Sequence, residues 1–164
     1  METSFTLSRG RSRFQNKPIS VPLVPFAVGE YPFAYSNAGT ANYTYVLLDH
    51  PATADGFIYI VRMFFKTNAT GVKIGTFSRS GADFTLHDQY SIGSISSGFQ
   101  TAPVKLKIKL DNYIGIYYAS GGMAFNAALA AGLYYKAGDQ FDAGTQTYTI
   151  LAGYNHALEG LGIS

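Results

Sequence analysis

Gly115-Ile116-Tyr117-Tyr118-Ala119-Ser120-Gly121 and Gly132-Leu133-Tyr134-Tyr135-Lys136-Ala137-Gly138 nearly repeat one another, 17 residues apart. Each reads as a tyrosine-rich strand running into a glycine turn. Repeat architectures use periods of roughly 20 to 50 residues in about three or more copies. Two copies at a shorter spacing are therefore two strands in similar sheet environments. Along Tyr113–Tyr118, strand alternation puts Ile114, Ile116 and Tyr118 on one face and Tyr113, Gly115 and Tyr117 on the other. The aliphatic face belongs in a core. The Tyr113 and Tyr117 face, joined by Tyr134, is a candidate contact surface for a glycan or a protein, unless a second layer buries it.

The stretch upstream follows the same period. In Val104-Lys105-Leu106-Lys107-Ile108-Lys109-Leu110, four aliphatics share one face and three lysines the other. Other runs read as strands: 43–48, 57–66, 72–77, 84–87, 90–95, 133–135, 146–151 and a weak 157–161, with Thr67-Asn68-Ala69-Thr70-Gly71 as the turn that ends the long one. The segment 123–131 (Met-Ala-Phe-Asn-Ala-Ala-Leu-Ala-Ala) has helix propensity, and either a helical turn or a strand fits it. About nine or ten short strands between Gly, Asn and Asp turns predict an all-β, antiparallel, jelly-roll-like β-sandwich.

The chain divides near residue 35 into an extended N-terminal arm (1–35) and a sandwich domain (36–164). The arm carries Pro18, Pro22, Pro25 and Pro32, which break helices and remove ladder donors. It is also apolar, with Leu23, Val24, Phe26 and Phe33, and so should lie along a surface, either its own domain or a neighbouring subunit. The arm holds four of the 12 Lys and Arg and two of the ten Asp and Glu, so the body is left with eight of each and the net +2 belongs to the arm. A nucleic-acid-binding body is not expected on that balance. Charged residues make up only 13% against 47% hydrophobic, which favours a surface partly covered by partners or by further copies of the chain.

There is no cysteine, which excludes disulfides and thiolate chemistry. No apolar run reaches the roughly 18 residues of a membrane helix. Met1-Glu2-Thr3-Ser4-Phe5 lacks the order of a secretory signal, so cytosolic synthesis is the expectation. His50, His87 and His156 stand far apart without metal spacing. His87-Asp88 lacks a companion nucleophile motif, and the Asp residues fall at strand ends and turns, where they cap and turn. Asp139 and Asp142, in a glycine-bounded loop, could place oxygens on Ca²⁺ but lack the dense acidic pattern of a calcium loop. No phosphate loop is present. No catalytic residue, metal or cofactor is therefore assigned, and a non-enzymatic role is expected. Lys105, Lys107 and Lys109 read first as guards of an edge strand, and next as a dock for an acidic partner.

Three stretches carry a resemblance: Thr67 to Phe77, Ile92-Gly93-Ser94-Ile95, and Asp111 to Tyr118. Across roughly Thr40 to Leu151 the order of segments resembles jelly-roll-like β-sandwich modules of tailed-phage virion proteins. The resemblance implies a structural, decoration or receptor-binding component of a virion, made in the host cytoplasm and contacting capsid or tail subunits. It supplies no catalytic residues. On that reading Arg9, Arg11, Arg13, Lys17, Leu23, Phe26 and Phe33 anchor the arm to a partner. Tyr113, Tyr117 and Tyr134 would meet a host-surface glycan in the alternative, receptor-binding role.

Overall fold

The computed structural model describes residues 22–127 and 131–164; the predicted anchors Arg9, Arg11, Arg13 and Lys17 lie outside them. The fold is all-β and antiparallel, as the strand pattern predicts. Among the described residues thirteen strands join one sheet: β1 (Pro25–Gly29), β2 (Asn37–Ala38), β3 (Tyr43–Leu47), β4 (Gly56–Ser80), β5 (Asp83–Ile95), β6 (Gly98–Ile108), β7 (Tyr113–Tyr118), β8 (Ser120–Asn126), β9 (Leu133–Ala137), β10 (Thr145–Thr147), β11 (Thr149–Leu151), β12 (Asn155–His156) and β13 (Leu158–Ile163).

The sheet folds over on β4, a strand of 25 residues. Its first half pairs with β13 on one side and β6 on the other. Its second half pairs with β7 and β5. One layer thus runs β1-β13-β4-β6 and the other β5-β4-β7-β3-β9-β11. The change of layer falls at Thr67 to Val72. There the register slips against both β8 and β5, and Gly71 takes a left-handed φ of 61°. Bulges of this kind let a strand turn a corner between layers. Thr67-Asn68-Ala69-Thr70-Gly71 is therefore a corner inside one strand and not a chain reversal. At that corner the Asn68 Oδ1 accepts the backbone N–H of Ser97, 2.9 Å away, and so fixes the bend where β5 passes into β6.

The halves of β4 face each other. Thr76, from the second half, donates its hydroxyl to the carbonyl of Lys107 at 2.8 Å, and Lys107 pairs with Phe57 in the first half. Between the layers lies the main core, with Ile58, Val61, Met63 and Phe65 of β4 against Ile74, Ile114, Ile116 and Tyr118. Packing here is close. A Cβ on Gly160 would stand 3.0 Å from Ile114, Ile58 and Val28, which belong to three different strands.

The β6 alternation holds from Ala102 to Ile108, with its aliphatics buried and Lys105 and Lys107 outward. The strand stops at Ile108, so Leu110 is exposed and does not continue the core face. The predicted strands 84–87 and 90–95 are one strand, β5. Residues 120–126 are strand, not helix, because β8 pairs with β4, β2 and β12; residues 128–130 lie outside the described set.

Part of the segment before residue 35 is built into the sheet. Residues 25–29 form β1 and pair fully with β13. Phe26 lies over Gly162 and Gly56, where any Cβ would strike its ring. This part of the arm packs on its own domain.

The glycines of the second layer do similar work. Gly75 and Gly115 pair across β4 and β7, and Phe77 and Phe141 occupy the space their side chains leave. A Cβ on Gly115 would meet Phe77 at 2.6 Å and the Tyr45 carbonyl at 2.7 Å. Gly115→Ala is expected to destabilise the fold by about 2 kcal/mol in urea titration, through overpacking against a backbone group that cannot move aside.

Candidate functional site

The predicted tyrosine surface comes first. The alternation is as read from the sequence: Ile114, Ile116 and Tyr118 are fully buried in the main core. The opposite face is not open. Tyr117 is 9% exposed and Tyr134 is 7% exposed. Both belong to a second apolar cluster with Val46, Phe77, Phe84, Phe141 and Tyr148, against which Tyr113 packs. The cover is the segment Asp139 to Tyr148. Its Phe141 is buried over Gly75, and Tyr148 stands 5.2 Å from the Phe84 ring. Arg79 lies over the Tyr134 ring at 4.9 Å and donates to its hydroxyl at 3.0 Å. The two repeated segments are β7 and β9, which flank β3 in one layer, each turning its first tyrosine to this cluster. Of the three tyrosines read as a contact surface, Tyr117 and Tyr134 lie in a packed interior and Tyr113 is partly buried at its edge. Tyr117→Ala or Tyr134→Ala should each cost about 3 kcal/mol or more of stability in chemical denaturation, the penalty for truncating a buried aromatic.

The remaining sequence candidates are placed as follows. Of the described arm residues, Leu23 (69% exposed) and Phe33 (53% exposed) face solvent, while Phe26 is partly buried. Asp88 accepts from the Lys107 backbone N–H at 2.7 Å and from that of Gln89 at 2.9 Å, so it fixes backbone beside an exposed His87. His50 Nδ1 lies 3.1 Å from the Gly29 carbonyl and 3.8 Å from Glu30. Asp139 and Asp142 both turn toward Lys73, at 2.6 and 3.9 Å. The ammonium of Lys73 stands where a cation would, and its pKa is raised by the hydrogen bond to Asp139. Among the described residues, no three His, Cys, Asp or Glu side chains converge as a metal site requires.

What the sequence does not announce is a pocket around His156. The small strands β2 and β12 pair on either side of β8, bringing His156 opposite Phe125 and Gly39 beside Met123. This three-stranded flap meets the ends of β3, β9 and β11 and leaves a pocket of about 200 Å³. Tyr45, Phe125, Tyr154 and His156 give it aromatic walls; Leu133 and Leu151 complete its apolar side. None of the described lining residues is charged.

His156 is 2% exposed, and neither of its ring nitrogens has a hydrogen-bond partner among the described residues. Its ring meets Tyr45 edge to face, 4.2 Å between centroids. Gly39 allows this position, since a Cβ there would press on the His156 ring and on the Tyr118 hydroxyl. That hydroxyl is also buried and makes no hydrogen bond of good geometry among the described residues. Burial pushes the His156 imidazole down to about 3, so the ring is neutral. Burial likewise pushes the Tyr45 phenol up to about 12, where its hydroxyl donates to the Thr40 carbonyl at 2.7 Å. An unpaired buried polar group costs about 1–3 kcal/mol, and two such side chains meet at this one place. The only sequence signal was a histidine with no companion.

No protein-family model matches the chain. No curated protein matches it either.

The neutral His156 makes a pH prediction. The unfolded chain binds a proton near pH 6.5 that the folded chain refuses until about pH 3. Its contribution is therefore absent above pH 6.5, and stability falls on acidification through the window by about 1.4 kcal/mol per pH unit. Tyr45, Phe125, Gly39 and the Tyr118 hydroxyl surround the ring, and Glu30 reaches the neighbouring Asn155 but not the imidazole, so no carboxylate among the described residues compensates. Urea titrations at pH 7 and pH 5.5 should show His156→Leu losing about 1 kcal/mol less than the parent.

Proposed function

We propose that this chain is a non-enzymatic structural protein of a virion: a phage capsid or tail accessory protein, or a decoration protein. On this reading it works by burying surface against neighbouring subunits. One observation carries it. The outward face of the β1-β13-β4-β6 layer exposes large apolar side chains side by side: Phe57, Tyr59 and Ile60, each more than a third exposed, with Phe99 further along. The register against β6 slips between Ile58 and Ile60. Ile58 and Val61 stay buried, so the extra residue turns both Tyr59 and Ile60 outward. Leu161 and Ile163, partly buried, pair with Ile60 and Phe57 and extend the same face. Lys105 borders it, 5.7 Å from the Phe57 ring. Chains that live alone seldom gather large apolar side chains on one outer face. An apolar patch with a basic border suits a partner with an apolar centre and acidic rim.

The edge strand β1 lies beside this face, and the chain continues from it toward residues 1–21 with their four basic side chains. The arm and the face would then meet one partner together. The exposed tyrosine reading loses its support once Tyr117 and Tyr134 are buried.

The test is co-sedimentation with assembled particles, followed by electron microscopy. Tyr59→Lys with Ile60→Lys should lower particle occupancy at least tenfold, and deletion of residues 1–21 should lower it again, with circular dichroism unchanged in both. A parent chain that stays a free monomer beside the particles would refute the reading.

A further inference from the structure

We propose that the His156 pocket binds a small, uncharged aromatic ring bearing one hydroxyl, with phenol as the simplest member of the class. This does not rest on the assembly reading. Size sets the first limit. About 150 Å³ is enough for one benzene ring, and the pocket offers about 200 Å³, room for one ring and a substituent.

The walls set the second limit. Phe125, Tyr154 and Tyr45 present ring surface, and aromatic rings pack on one another in offset or edge-on contact. The absence of charge among the described lining residues disfavours carboxylates and amines, which would be desolvated without a counter-charge. The polar group sets the third limit. A neutral imidazole has one donor and one acceptor nitrogen, and neither is engaged by the described residues. Both nitrogens are sealed from solvent in the free chain, so a hydroxyl, which can donate and accept, pairs with one of them once the ring turns that edge to the pocket. The rim at Thr40, Tyr45 and Leu151 opens into a shallower basin beside Tyr43 and Tyr135, which leaves a way in and room for a longer substituent.

The experiment is an NMR titration of the full chain, ring-labelled at histidine, with phenol, benzene and benzoate as probes. Phenol should shift the His156 signals saturably. Benzene, the same ring without the hydroxyl, should bind at least tenfold more weakly, and benzoate should not saturate. His156→Leu should weaken phenol at least tenfold and leave benzene unchanged. Leu151→Trp fills the pocket from its rim and should abolish phenol binding even if His156→Leu does not fold. Equal affinity for phenol and benzene, or phenol binding untouched by Leu151→Trp, would overturn the proposal, as would the absence of any saturable shift at His156.

Discussion

A strand of 25 residues, run straight, would span about 80 Å. A domain of 164 residues has a radius of gyration of only about 15 Å. β4 must bend, and the rest of the fold follows from where it does so. With the corner at Thr67 to Val72, each half becomes the spine of one layer, and the hairpin partners β6 and β5 are carried round beside it. One covalent strand thus brings together two faces that otherwise would have to find each other across a long loop. The contact between Thr76 and Lys107 closes the fold at the far end from the corner.

The second constraint is the width of aromatic rings. A sheet face dense in Tyr and Phe has no room for a side chain at every position, and the glycines supply the gaps. Phe77 lies where Gly115 lacks a Cβ, and Phe141 where Gly75 lacks one. The segment that carries Phe141 is held at its other points by the Lys73–Asp139 pair and by Thr44. The Thr44 hydroxyl donates to the Gly138 carbonyl and accepts from the Gln140 N–H. An aromatic strand face with alternating glycines is therefore a receptacle for rings from elsewhere in the chain, and in this protein those rings are its own.

These features mark the limits of what the linear chain discloses. Alternation is local, so the partition of Tyr113–Tyr118 into two faces and the aliphatic side of β6 were legible. Whether a face meets solvent depends on what folds over it. The cover of Tyr117 comes from Phe141 and Tyr148, more than 20 residues downstream, and no local pattern encodes that. The corner was misread for a related reason. Thr-Asn-Ala-Thr-Gly is turn chemistry, and the same residue types serve a bulge, where Asn68 holds the neighbouring bend at Ser97 and Gly71 takes a left-handed φ. Only the flanking pairings separate the two. The pocket was invisible because its walls come from six strands or their connections, joined by no motif.

The corner also explains why the pocket exists. β13 follows β4 only as far as Met63, and β7 joins it only from Lys73. Between those points the bend parts the two neighbours, and β8 crosses the gap with three widely spaced pairings, Phe65 to Met123, Thr67 to Gly122 and Thr70 to Ser120. A strand so loosely held turns away from the core, and β2 and β12 attach to it and not to the main layers. Tyr118 ends β7 and His156 stands just before β13, so both buried polar side chains sit where the layers separate. A continuous pair of layers would have filled this space with aliphatic side chains. Bending one strand into two layers opens a seam beside the bend, and a seam lined by rings, closed by a glycine and furnished with a neutral imidazole is better suited to holding a guest than to being core.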